Sequence, residues 1–403
     1  MILAPAFVNG HTHVAMNVFR GLLGADLATS NVVEDVYFPL EQALTGEDVR
    51  AFARMGAWEC LLSGQGAVFD HYYYADAVAE ALLDVGLCGV VAPTVQDVDG
   101  PAAGHMDEVL ELTLELHQRE ALREAGVRMA LGPHATDTVS CKGWERMARV
   151  AIDHQLPVHA HVAQSIEEIE RTAPDGGPLG RLAPVLEAGA RLLAVHGLYL
   201  TTQDVERLAE TSTWLGYCPS AQDLFGFPAH VPGWWSAGVP VVLGADTGSC
   251  NDGMDVQSEV RRVASASSTG VTHGHLADVW RSSGEVPDAQ ALDRSRTPHL
   301  TAERALATVW GTPSEWARPL QVGRIEPGYR ANLIAVSMDH PAMWPCADPV
   351  RALAFGQVSS ALHAVVVNGV WRSVADIRAS ELLAEHQAEA RSRRDAWLKR
   401  SGR

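Results

Sequence analysis

Eight short apolar runs, each suited to a buried strand, alternate with longer stretches of helical spacing, and few folds accommodate that alternation. The runs are Ala6–Val8, Ala67–Phe69, Gly89–Ala92, Arg128–Leu131, Pro157–Val162, Leu192–Val195, Trp214–Tyr217 and Pro240–Gly244. Helical spacing covers Asp48–Leu62, Ala75–Val85, Met106–Ala125, Cys141–His154 and Thr202–Glu210. Eight strand-then-helix units over about 265 residues predict an α/β chain folded as a (β/α)8 TIM barrel. The barrel is expected over residues 1–312, with Ser282–Pro298 as a polar loop and Thr301–Trp310 as a helix. Strand and turn signals without helical spacing, at Val322–Tyr329, Ala331–Val336 and Ala364–Val370, predict a small β appendage over 313–374. Residues 375–403 read as a C-terminal helical tail whose basic end, Arg391 to Arg400, is a solvated face with cations at the helix C-terminus.

Composition excludes several classes. With 49 acidic against 31 basic side chains the formal net charge is −18, which repels a phosphate backbone, so no nucleic-acid partner is expected. No apolar run approaches the roughly 20 residues that span a bilayer, so no membrane partner is expected. Met1–Pro5 lacks the charged and apolar regions of a secretory signal, and a cytoplasmic location follows as the expectation. The six cysteines are scattered singly, without a CxxC pair, which argues against a zinc ribbon, a dithiol redox site or a disulfide framework.

Barrel enzymes carry their chemistry at the C-terminal ends of the strands. Here those ends hold His11, His13, Asp70, His71, His134, His159, His161, His196 and Asp246. Any one of them could be a loop histidine or a cap, but an inert barrel has little reason to gather the set. On an extended segment residues i and i+2 project to one side, so His11 and His13 can converge on one ion. With His161 and Asp246 they make three nitrogen donors and a carboxylate, a set suited to one divalent ion, zinc first, with iron or manganese as alternatives.

Taken in order, the motifs resemble those of the amidohydrolase superfamily, specifically its mononuclear branch of cytosine, guanine and S-adenosylhomocysteine deaminases and triazine hydrolases. The resemblance rests on Phe7–His13 with Arg20–Leu22, Gly132–Ala135, His161–Ala163, Val195–Gly197, Cys218–Ser220, Leu243–Asp246 followed by Ser249, Asn251 and Asp255, and Gly323–Leu333, where Asn332 stands in place of the usual Asp. It implies His11, His13, His161 and Asp246 as metal ligands, with His196 and Asp246 acting on substrate and water. It also implies a metal-dependent hydrolase attacking an sp² carbon of a nitrogen heterocycle with metal-activated water, by hydrolytic deamination first. His134 occupies the fourth-strand end, where binuclear members carry a lysine, consistent with a single ion. His134, Arg20, Tyr72 and Gln96 are expected at the substrate, with Met16, Phe19 and Gln222–Phe227 nearby, although the tyrosines after His71 could equally pack a helix end.

Two departures stand out. The deaminases carry a proton-shuttling Glu in an HxxE motif, but here it reads His161-Val162-Ala163-Gln164, and an amide cannot shuttle a proton. Losing general acid–base help costs ~10²–10⁴-fold. Three readings follow: the shuttle is relocated to His196, His159 or Asp70; the leaving group needs no proton, as in hydrolytic dehalogenation, with amide or lactam hydrolysis beside it; or the barrel is catalytically silent and only binds a small molecule. The first ranks highest because Asp246 and His196 remain in place. The second departure is that only ten residues precede His11, fewer than in relatives. A β-sandwich appendage lacking its N-terminal part is therefore expected, and either the chain is truncated, its start lies upstream, or a partner subunit of a homo-oligomer covers the exposed edge.

Overall fold

The computed structural model describes residues 1–22, 31–225, 227, 229–250, 252–269, 281–285 and 300–402. All eight predicted runs form strands. They are β2 (Phe7–Thr12), β3 (Gln65–Tyr72), β4 (Cys88–Val95), β5 (Val127–Met129) with its short continuation β6 (Gly132–Pro133), β7 (Val158–Val162), β8 (Leu192–His196), β9 (Thr213–Tyr217) and β10 (Val241–Leu243), preceded by β1 (Ile2–Pro5). Every residue of β3 and β4 is buried, which explains why these strands read as continuous apolar runs and not as an alternation.

The strands pair in parallel as β2-β3-β4-β5, with β6 on β4, and as β7-β8-β9-β10. Parallel bridges Leu131–Val158 and Ala135–His161 join one pair of sheet edges, and Thr12–Asp246 joins the other. The chain is thus an α/β protein whose two parallel sheets meet at both edges. Helices Gly46–Leu62, Ala75–Val85, Cys141–His154 and Thr202–Ala209 fall where helical spacing places them, the first and last opened by capping boxes at Thr45/Asp48 and Thr201/Asp204. The expected helix over 106–125 is broken at Arg119 into Met106–Gln118 and Glu120–Glu124; Arg119 adopts extended backbone, and its guanidinium pairs with Glu80 at 2.5 Å.

A third, antiparallel sheet has the order β1-β11-β12-β13, with β11 at Leu333–Val336, β12 at Leu362–Val367 and β13 at Val370–Ser373. Asn368 and Gly369 both take positive φ (52° and 78°), as a tight hairpin turn requires. Asn332 occupies the junction: its amide nitrogen donates to Gly66 O and its amide oxygen accepts from Asn368 N–H, each at 2.9 Å. An Asp could not make the first of these bonds. The strand expected in Val322–Tyr329 is absent. Gly323 (φ +76°) and Gly328 (φ +91°) turn the backbone left-handed there, and Pro327 has no N–H to pair.

Of the expected Ser282–Pro298 loop, residues 282 and 283 are helical and 286–298 lie outside the described residues. The tail forms two helices, Val374–Arg378 and Glu381–Ser401, with Ser380 capping the second. Among the described residues no helix is long and apolar enough to cross a membrane.

Candidate metal centre

Glycines let the strands that carry the site approach one another. A Cβ on Gly10 would lie 1.9 Å from Val242 Cγ1, and one on Gly244 2.5 Å from the His11 carbonyl oxygen, so side chains there would force β2 and β10 apart. Closely packed, the two strands exchange bonds: His13 N–H donates to Asp246 O at 2.8 Å and Asp246 N–H donates to His11 O at 3.0 Å. Asn9 Oδ1 accepts the Ala245 N–H at 3.0 Å. Three non-glycine residues at strand ends hold left-handed backbone, Ala163 (φ 52°), His196 (φ 78°) and Asp246 (φ 59°). Each costs of order 1 kcal/mol, and such conformations cluster at functional sites.

His11 Nε2 lies 3.5 Å from Asp246 Oδ1, and His13 Nε2 lies 3.3 Å from the same oxygen. One ligand atom from each of His11, His13 and Asp246 falls within 4.8 Å of the others, and the same holds for His11, His161 and His196. The outer nitrogens are occupied: His11 Nδ1 bonds His159 Nε2 at 2.8 Å, His13 Nδ1 donates to the His71 carbonyl, and His161 Nδ1 donates to the His134 carbonyl at 2.7 Å. The two carbonyl bonds place the ring protons of His13 and His161 on Nδ1 and leave their Nε2 atoms with a free lone pair. His11 Nε2 is buried without a hydrogen-bond partner, as expected of an atom built to hold a cation.

The electrostatics agree. Burial pushes His11 down to about 4 and His196 to about 3, and holds His161 well below its ordinary value, so these rings are neutral, the form that ligates. Burial opposes charge on His13 too, but the bond and charge of Asp246 outweigh it and raise the ring. Burial works against the Asp246 carboxylate, yet the adjacent His11 and His13 rings, 3.5 and 3.3 Å from its Oδ1, hold it well below the usual range. A set of three imidazoles and one ionised carboxylate fits one divalent ion.

The pocket beside this cluster is lined by His134, Tyr72, Gln164, His196 and Met16. His134 Nδ1 bonds Thr138 Oγ1 at 3.0 Å, and burial lowers the ring to about 3. Two expected substrate residues are elsewhere. Arg20 lies beyond the helical turn Val14–Phe19, on an outer groove, where its guanidinium pairs with Glu59 at 2.6 Å. Gln96 is fully buried, and its Oε1 accepts from Ala102 N–H at 3.0 Å and Tyr73 OH at 3.3 Å, so it staples a loop and does not face the pocket. Phe19 is likewise core, against Tyr37 and Trp397.

Gln222 accepts from Ala229 N–H at 3.1 Å, away from the pocket, and Phe227 is exposed against Tyr199. Residues 226, 228 and 251, the last being the Asn of the resembling motif, lie outside the described residues.

Of the three candidate relocated shuttles only His196 lines the pocket. His159 lies behind His11, and Asp70 Oδ2 accepts the Val14 N–H at 2.6 Å. The site also contains groups without an assigned role in the sequence reading. Glu41 is buried beside Tyr72 and Tyr73, its carboxyl pushed up to about 7 by burial. Cys250 Sγ sits 3.6 Å from Asp246 Oδ2. Glu41 had one visible signal, a lone acid in the apolar stretch Val36–Leu44.

Comparison with known proteins agrees with this geometry. The chain is 28% identical over 374 residues to a 5-methylthioadenosine/S-adenosylhomocysteine deaminase of Haloarcula marismortui, covering 91% of this chain and 80% of that protein. An adenosine deaminase from Xanthomonas campestris with bound zinc superposes with a TM-score of 0.82 at 24% identity, over 98% of this chain and 86% of the other. Atrazine chlorohydrolase from Arthrobacter aurescens, also with zinc, superposes with a TM-score of 0.78 at 21% identity, over 96% and 88%. At those identities the structural likenesses establish the fold. The amidohydrolase family model matches residues 2–372, and with nearly the whole chain inside that match, this protein belongs to the amidohydrolase family.

Proposed function

We propose that this protein is a metal-dependent hydrolase that deaminates a nitrogen heterocycle, with adenosine derivatives altered at the 5′ position as the substrate class. The observation that carries the reading is a buried cluster in which His11 joins His13 and Asp246 in one close group and His161 and His196 in another, with outward Nδ1 bonds on His11, His13 and His161. The substrate class follows the curated relatives, which are named as deaminases of methylthioadenosine and S-adenosylhomocysteine. The two parallel sheets are read as one closed (β/α)8 barrel over residues 1–312, supported by the bridges at both sheet edges, with the β appendage over 313–374 and the helical tail over 375–403.

In this reading His11, His13, His161 and Asp246 hold one ion, zinc by its preference for nitrogen donors. When bound, such an ion would lower the pKa of its water towards about 7. Asp246 is held ionised and so can accept the water's proton. Neutral His196 stands beside Asp246, its ring stacked on His161 at 5.4 Å, where it can orient water and stabilise charge on the heterocycle. Gln164 can hydrogen-bond but cannot transfer a proton to a leaving amine. That same amide favours a second reading, hydrolytic dehalogenation, because chloride leaves without a proton.

Zinc-loaded protein assayed with 5′-methylthioadenosine, S-adenosylhomocysteine, adenosine, guanine and a chlorotriazine tests both. Stoichiometric ammonia from an adenosine derivative is the expected result. Chloride release alone supports the second reading, and neither product at full zinc occupancy overturns the proposal.

A further inference from the structure

Among the described residues His71 is the one histidine whose two ring nitrogens are both buried without a hydrogen-bond partner. It is only 1% exposed, yet it lines the pocket. The ring is not loosely held. His71 lies near the end of β3, which is paired on both sides, and its carbonyl accepts from His13 Nδ1. Its ring packs on His161 with centroids 4.9 Å apart and planes 28° apart, 6.1 Å from His134 and 6.2 Å from His13. A neutral imidazole carries one donor and one acceptor, and on His71 both are unmet. Buried polar groups are paired almost without exception, and an imidazole on the wall of a cavity with two unmet bonds is suited to a partner that enters that cavity.

Resting on the deaminase reading above, we propose that His71 is a substrate-recognition residue: its N–H donates to the lone pair of the ring nitrogen beside the carbon that water attacks. The packing supports that partner. The His71 ring centroid lies 4.9 Å from that of His161 and 6.2 Å from that of His13, and in a cyclic amidine the atom beside the attacked carbon is a nitrogen acceptor. A heterocycle with C–H at that position would leave the His71 donor unmet, so the residue selects for the amidine and not merely for a flat ring.

The test compares adenosine with 1-deazaadenosine, which replaces that nitrogen with C–H, in the zinc-loaded native protein and in His71→Phe and His71→Asn. In H71F the KM for adenosine rises about tenfold, the usual effect of one neutral hydrogen bond, while the inhibition constant of 1-deazaadenosine moves less than twofold. H71N keeps an N–H donor and recovers part of the loss. Zinc content stays at the native level in both variants. Equal shifts for the two ligands, or none, overturn the inference, as does loss of zinc in step with KM, because His71 would then act through packing. A native protein that neither deaminates adenosine nor binds 1-deazaadenosine overturns the proposed function and this inference with it. Native turnover with unchanged KM in H71F overturns the inference alone.

Discussion

At position 164 a carboxamide stands on the rim of the pocket, where its backbone N–H is tied to Glu168 Oε2 at 2.7 Å. The main chain is therefore fixed independently of the side chain, and Gln164→Glu adds a proton carrier without rebuilding the loop. Q164E is expected to raise ammonia release from an adenosine derivative by ~10²-fold and to raise dehalogenation much less. Equal gains in the two assays would cut the link between residue 164 and the leaving group. His159 acts one layer further out. Its Nε2 holds His11 Nδ1, so His159→Phe is expected to weaken zinc binding roughly 10–100-fold in a chelator competition while leaving the unfolding midpoint of the metal-free protein within its usual range for a core substitution. Unchanged zinc affinity would show that β2 alone orients His11. Much of the site was legible in the sequence at this scale because ligands must sit at strand ends, a position that apolar runs reveal. Arg20 and Gln96 misled because the sequence does not show where a loop turns after it leaves a strand, and Glu41 passed unnoticed because only tertiary packing seats a lone acid of a short helix beside His13.

The segment after β7 shows how an element is tied down by one acid. Glu168 is 2% exposed and accepts from the Thr136 hydroxyl, from Ala163 N–H at 2.9 Å and from Gln164 N–H at 2.7 Å. Burial outweighs these donors and lifts the carboxyl from 4.5 to about 7. Because the folded value is the higher one, the folded state binds the extra proton between about 4.5 and 7, so this group's stabilising contribution is full below that window and falls as pH rises through it. The loss amounts to roughly 3 kcal/mol by pH 8. An amide at this position does not titrate, so the destabilisation caused by Glu168→Gln should be larger at pH 5 than at pH 8, read from denaturant midpoints. A penalty independent of pH would mean that Glu168 is ionised throughout. Element by element, the parallel strands were readable because they are buried on both faces, and the helix starts because Thr45, Ser140 and Thr201 cap them. β1 was not, since four residues ending in Pro5 become a strand only through β11, at the far end of the chain.

Across the whole molecule, the acidic surplus and the basic tail are parts of one arrangement. The helix Glu381–Ser401 lies along Gly46–Leu62, and its cations meet acids there: Arg400 pairs with buried Asp48, and Arg393 reaches Glu47 at 2.5 Å. In the opposite sense Arg54 reaches Glu389 at 2.6 Å. The sequence could show that the tail was basic but not which acids it meets, because those lie more than three hundred residues earlier. Charge alone does not hold it. Trp397 is fully buried, donates its indole N–H to Leu40 O at 3.2 Å and packs on Phe19 at 5.4 Å. Phe19 in turn stacks on Tyr37, a wall of the pocket beside the histidine cluster, whose hydroxyl bonds Ser249 Oγ at 2.8 Å. Trp397→Ala should therefore cost about 3–5 kcal/mol of stability through the cavity it leaves, and should also raise KM, because the pocket wall loses its backing. Arg393→Ala removes an exposed pair worth at most about 1 kcal/mol and should leave both readouts near native. If R393A costs as much as W397A in denaturant unfolding, the tail is docked by charge; if W397A unfolds more easily yet keeps its native KM, the contact chain from the tail through Phe19 to Tyr37 does not reach the site.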